Sequence, residues 1–227
     1  MSTLPVISLD LDDTLWPVAP VIAAAEAQLY EWMQVRHPRA VRGHSIETMR
    51  ALRARIAAQF PAHSHDLTFV RRRALDAQFN AAGYARSRAQ ASCEEALEVF
   101  LAARNRVELF ADVRPALESL RSRYRVYALS NGNADLGRCG LAEFFAGHVH
   151  AIAAGAAKPD AKIFAALCEM AGVSAGDVLH VGDDPIADVV GARQAGMQTI
   201  WLNRDARPWP VALAPPARTI STLAEIL

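Results

Sequence analysis

The hydrophobic pattern of the 227-residue chain changes texture twice. Residues 5–9 form a short apolar run with β-branched members, ending in an acidic cluster. That is the pattern of a buried strand with polar chemistry at its C-terminal tip. From about residue 20 to 104, Ala, Leu, Glu, Gln and Arg dominate and apolar positions recur at helical spacing. The spacing predicts helices over 21–35, 46–60, 67–82 and 88–103, with His37-Pro38, Pro61 and Gly83 as breaks. After Leu109 the signals alternate. Helices are expected over 115–123, 160–171 and 185–195, and strands over 125–129, 148–153, 177–181 and 197–202. Ser130-Asn131-Gly132-Asn133 reads as a turn and 208–216 as an exposed loop.

Strand–helix alternation predicts an α/β fold, a parallel sheet covered by helices on both faces. The all-helical block falls between the first and second strands and is therefore an insertion. The expected division is an α/β core of residues 1–16 and 105–227 and a helical domain of 17–104. Open parallel sheets bind ligands at the carboxyl ends of their strands, so four loops hold the candidate chemistry.

The first strand ends in Asp10-Leu11-Asp12-Asp13-Thr14. Two carboxylates two residues apart can divide labour, one as ionised nucleophile and one as general acid, although an acidic loop there is also ordinary. The second ends in Ser130-Asn131-Gly132, where a hydroxyl, an amide and backbone N–H groups can hold phosphate oxygens; the same residues make a common turn. The third is followed by Lys158-Pro159, with the proline placed to open a helix. Lys158 stands out because the chain has only one other lysine, Lys162. The fourth ends in Gly182-Asp183-Asp184, with Asp188 close behind. Three carboxylates on one turn repel without a cation, and oxygen-only ligands suit Mg²⁺; helix capping explains one of the three.

Taken in order, these residues resemble the four motifs of the haloacid dehalogenase (HAD) superfamily, subfamily I, along the whole chain. Asp10-Leu11-Asp12-Asp13-Thr14 matches its Asp-x-Asp-x-Thr motif, Ser130 the second, Lys158 the third, and Gly182-Asp183-Asp184 with Asp188 the acidic fourth. Asp13 stands where many relatives have Gly, a known variation. The resemblance implies a Rossmann-like core and a Mg²⁺-dependent phosphatase acting on a small phosphorylated metabolite through an aspartyl-phosphate. It makes Asp10 the nucleophile and Asp12 the acid and base, with Ser130 and Lys158 on the phosphoryl oxygens and Asn131 and Gly132 as substrate contacts. Mg²⁺ would be held by Asp10, the Asp12 backbone carbonyl and Asp183, with Asp184 and Asp188 in support. The helical insertion resembles the C1 cap of this superfamily, which closes over the site. His65, Asp66 and Arg71-Arg72-Arg73 are its candidate specificity residues, each also compatible with a solvated helix face. The stretch 10–38, the Ser130–Asn133 turn and Gly182-Asp183-Asp184 look like a bacterial flavin-pathway phosphatase group. Members of that group act on flavin mononucleotide and on phosphorylated ribitylaminouracil.

Two other members of the superfamily are less compatible. A haloacid dehalogenase has no acid at the position of Asp12 and needs no metal. A phosphonatase needs a cap lysine, and no lysine precedes Lys158. A non-catalytic phosphate-sensing relative would usually have lost one of the four motifs.

Composition changes this picture little. Hydrophobic residues make up 52% and charged residues 21%, the balance of a globular protein. Lys+Arg and Asp+Glu are 24 each, so no net field draws the chain to nucleic acid or to an anionic membrane. Three widely spaced cysteines, Cys93, Cys139 and Cys168, fit neither a disulfide framework nor a zinc site and point to a reducing cytoplasm. The start Met1-Ser2-Thr3-Leu4-Pro5 lacks a signal-peptide pattern, and no window is long and apolar enough for a membrane span.

Overall fold

A computed structural model describes residues 5–226. Met1–Leu4, part of the start read as leaderless, lie outside the described residues. By contact the chain divides into two compact units, Met1–Pro17 with Glu108–Leu227, and Val18–Val107.

The first unit is built on a six-stranded sheet in the order β3-β2-β1-β4-β5-β6, with every pairing parallel. The strands are β1 (Val6–Leu9), β2 (Arg125–Ser130), β3 (Gly147–His150), β4 (Val178–Gly182), β5 (Gln198–Leu202) and β6 (Thr219–Ile220). β1 is central, and the chain goes to β2 on one side and β4 on the other. That is the topological switch at which such sheets open a crevice. α5 (Val113–Arg123) and α7 (Ala161–Ala171) pack on the sheet; Ile163, Phe164 and Leu167 of α7 meet Leu129, Val149 and Val178 in a buried core.

Three expectations change here. The strand placed at 148–153 ends at His150, and Ala151–Ala154 is a short helix, α6. His150 Nδ1 accepts from the Ala153 N–H, and Gly155 stops the turn at φ +64°. A short apolar run does not reveal its period, and the cap decides it. Pro159 does not open α7; Asp160 is its N-cap, accepting from the Lys162 N–H at 2.9 Å. Residues 185–195 are helical as expected, but Pro185–Val190 is a wide π-type turn that continues into α8 (Gly191–Gln194).

The second unit is four helices, α1 (Val18–Arg36), α2 (Ile46–Gln59), α3 (Leu67–Ala81) and α4 (Arg86–Arg104). Ala25, Leu29 and Met33 recur at four-residue spacing and pack with Phe79, Leu97 and Phe100, the face the spacing predicts. Among the described residues no helix is long and apolar enough to cross a membrane.

Candidate active site

The lysine singled out for its rarity lies at the centre of the strand ends. Lys158 is buried, and its Nζ donates to Asp10 Oδ1 (2.6 Å), Asp188 Oδ1 (2.6 Å) and the Leu129 carbonyl (2.7 Å). Three acceptors match the three protons of an ammonium. Its backbone is held as firmly. The Asn131 side chain accepts from the Lys158 N–H at 2.7 Å and donates to the Lys158 carbonyl at 2.9 Å. Two residues expected to touch substrate are thus engaged within the protein, Asn131 with Lys158 and Gly132 through its N–H on Ser130 Oγ (2.9 Å).

Asp10 lies just past β1, its N–H bonded to the Val181 carbonyl of β4 at 2.9 Å. Asp12 Oδ1 accepts from Trp16 Nε1 at 2.8 Å, which turns this carboxylate along the loop. Asp13 takes φ +59°, the left-handed region where Gly is free and Asp is tolerated better than most residues. This accounts for Gly at the position in many relatives. The loop is braced from behind: Arg204 donates to the Thr14 carbonyl, pairs with Asp112 through two nitrogens and stacks on Phe110.

At the end of β4 the three acids part company. Asp184 is exposed and caps the following turn, accepting from the Ile186 and Ala187 N–H groups. Asp188 folds back beneath Gly182, where an added Cβ would lie 2.2 Å from the Asp188 carboxylate carbon. It accepts from Lys158, from His180 Nε2 (3.1 Å) and from the Asp184 N–H (2.9 Å). Asp183 faces Asp10 and Asp188, and carboxylate oxygens of the three lie within 4.8 Å of one another. Trp201 Nε1 and Arg207 donate to the Asp183 carbonyl, and Arg207 also reaches Asp183 Oδ2 at 3.1 Å.

Electrostatics follow from this crowding. Burial, with Asp188 and Asp183 nearby, pushes the Asp10 carboxyl well up against the pull of Lys158. Burial and Asp188 push Asp183 up to about 6. Asp188 keeps its charge: despite burial, Lys158 and His180 hold it well below the usual carboxylate range. The His180 imidazole is held below its usual value by burial. Two carboxylates that resist ionisation side by side, with oxygen-only donors, fit a hard divalent cation that would relieve both. Asp188 is already engaged by Lys158, His180 and the Asp184 N–H, so Asp10 and Asp183 are the carboxylates freer to take it.

His180, Ser8, Trp201 and Arg207 were not anticipated. Ser8 and His180 carried a signal, each being the one polar residue in an apolar strand run; Arg207 lies in an irregular loop and carried none. In the helical unit Asp66 caps α3 (Asp66 Oδ1 to the Phe69 N–H, 2.7 Å). Arg72 pairs with Glu94, Arg73 lies 3.9 Å from Asp76, and Arg71 is buried. His65 is half-buried.

Comparison with known proteins agrees with this geometry. Residues 4–196 match the family model of haloacid dehalogenase-like hydrolases. The chain is 30% identical to 5-amino-6-(5-phospho-D-ribitylamino)uracil phosphatase YigB of Escherichia coli, over all of this chain and 96% of that protein. It is 31% identical to phosphoserine phosphatase of Thermus thermophilus, over 96% of each. A crystal structure described as a 2-haloacid dehalogenase from Pseudomonas syringae superposes with a TM-score of 0.93 at 37% identity, covering 99% of this chain and 96% of that one. With its motifs gathered at one set of strand ends and relatives along its full length that include phosphatases, this chain is an enzyme that belongs to the haloacid dehalogenase-like hydrolase family.

Proposed function

We propose that this hydrolase is a Mg²⁺-dependent phosphatase that cleaves a small phosphate monoester through an aspartyl-phosphate on Asp10. The observation that carries the reading is the contact of Lys158 Nζ with Asp10 Oδ1 at 2.6 Å, joining residues 148 apart in sequence, with Asp183 beside them. Asp10 attacks phosphorus, and the bond to the leaving oxygen breaks as Asp12 gives that oxygen its proton. Asp12 then takes a proton from the water that displaces phosphate from Asp10. Lys158, by turning the proton it gives Asp10 in the resting site, and Ser130 hold the phosphoryl oxygens, while Asn131 and Gly132 hold the loop that presents them. Asp10, the Asp12 carbonyl and Asp183 would bind Mg²⁺, which supplies positive charge against the repulsion between carboxylate and phosphate dianion. The helical unit acts as a specificity cap, and a phosphorylated flavin precursor is the substrate that the relation to YigB favours. A cytoplasmic location fits three cysteines that form no disulfide.

The similarity to the structure described as a 2-haloacid dehalogenase favours a second reading, carbon–halogen cleavage by the same Asp10. Asp12 argues against it, since displacement of halide from carbon needs no proton for its leaving group. The test assays wild type and Asp12→Asn side by side for phosphate release from an aryl phosphate with Mg²⁺ and for halide release from a 2-haloacid. Phosphate release that falls about 10²–10⁴-fold in the variant is expected. Halide release by both proteins, without phosphate release by either, would overturn the reading.

A further inference from the structure

Behind the lysine lie two buried polar residues to which the mechanism above gives no part. Ser8 of β1 and His180 of β4 face each other in register, 0% and 1% exposed. Ser8 lies two residues before Asp10, so the pair lies on the sheet face toward which Asp10 points. Ser8 Oγ is 2.8 Å from His180 Nδ1, and His180 Nε2 is 3.1 Å from Asp188 Oδ1. Phe164 closes over the imidazole edge-to-face, at 5.9 Å between ring centres.

The roles of these atoms follow from donor arithmetic. An ionised carboxylate only accepts, so His180 Nε2 must carry a proton to serve Asp188. In a neutral ring Nδ1 is then an acceptor, and the Ser8 hydroxyl is the donor it meets. Asp188 Oδ1 is shared between His180 and Lys158, so the position of the imidazole fixes the carboxylate oxygen that fixes Nζ. A histidine needed only to fill the core would not have to present a donor to the one acid that holds the lysine.

We propose that Ser8 and His180 are positioning residues for Lys158: Ser8 sets the tautomer of His180, His180 holds Asp188, and Asp188 aims the ammonium at Asp10. This rests on the reading of Lys158, in contact with Asp10, as a group of the reacting centre. Outer partners that orient the groups of a metal site are typically worth about 10–100-fold in affinity or activity, and the same scale is expected for His180.

The experiment compares full-length wild type, His180→Leu, His180→Gln and Ser8→Ala, all held well below their melting temperatures. Activity is read as phosphate release from an aryl phosphate, or as halide release if that is what wild type shows. His180→Leu should lose about 10–100-fold in kcat. His180→Gln, which returns an amide N–H near the place of Nε2, should recover most of it. Ser8→Ala should lose about fivefold, the worth of one hydrogen bond. Ring ¹⁵N shifts should show the Nε2–H tautomer in wild type and a mixture in Ser8→Ala. A merely structural pair would shift melting temperatures and leave the kcat of folded protein unchanged. Wild-type kcat in folded His180→Leu, or a wild-type ring protonated on Nδ1, overturns the proposal. If His180→Leu does not fold, unchanged kcat and tautomer in Ser8→Ala overturn it instead. Halide release in place of phosphate release sinks the phosphatase reading alone.

Discussion

The two units both bury charge, and they do so differently. In the α/β unit the ammonium of Lys158 meets three acceptors and the carboxylate of Asp188 three donors. In the helical unit Glu26 of α1, 3% exposed, takes Arg50 (2.5 Å) and Arg53 from α2, with Arg71 of α3 at 3.9 Å. Arg71 itself is incompletely served. Its Nη1 has no hydrogen-bond partner, its guanidinium lies 3.3 Å from the Phe100 ring centre, and burial with Arg53 nearby lowers it to about 9. Complete satisfaction fixes atoms to within the tolerance that chemistry needs. The helical cluster needs only to join three helices, and stacking on an aromatic face serves that purpose.

If the distinction is right, damage to each network should be felt in a different quantity. The largest effect is expected at Asp10→Asn, which removes the proposed nucleophile with little change of volume. Activity should fall on the order of 10⁴–10⁶-fold, while the melting temperature holds or rises because an ionisable group that resists ionisation is gone. Undiminished turnover would end the nucleophile assignment. Glu26→Ala should do the reverse. Removing one partner of a buried ion cluster leaves uncompensated charge and costs about 3–5 kcal/mol of stability, read by denaturant unfolding. Mg²⁺ affinity measured by calorimetry below the transition should stay as in wild type. A loss of affinity comparable to the loss of stability would mean that the two networks are coupled.

The smallest effect sharpens the comparison through pH. Asp183 is pushed up to about 6, so the folded metal-free chain favours its protonated form. The sign is that of a raised acid. Its stabilising contribution is fully present below the ordinary carboxylate value and is lost as pH rises through about 6. Asp10 acts in the same direction. Mg²⁺ must displace that proton, so its affinity should fall by at least about tenfold per pH unit below 6. Adding Mg²⁺ should restore at pH 7 the stability the metal-free protein loses on the way there. An affinity independent of pH between 5 and 7 would show that Asp183 is no ligand.

How much of this was legible beforehand follows the range of each interaction. Binary pattern and helix breaks marked all four helices of the second unit and five of the six strands, because each depends on neighbours within a few residues. β6, Thr219–Ile220, escaped because two residues show no period. The reversal at His150 escaped because a side-chain cap, not the pattern, ends that strand. The amino-acid sequence by itself determined the α/β class, the placement of acids and lysine at strand ends, and the turn residues that let them stand there, since backbone propensity and alternation are local. The tertiary structure alone decided which acid does what. Asp183 and Asp184 are neighbours of the same type, yet one faces Asp10 and the other caps a helix. Asp188 owes its charge to Lys158 and His180, thirty and eight residues away. Ser8 and His180 are ordinary polar residues until strands 172 residues apart bring them together in register. Burial then turns their hydrogen bonds into a constraint, because no water can take the place of a lost partner.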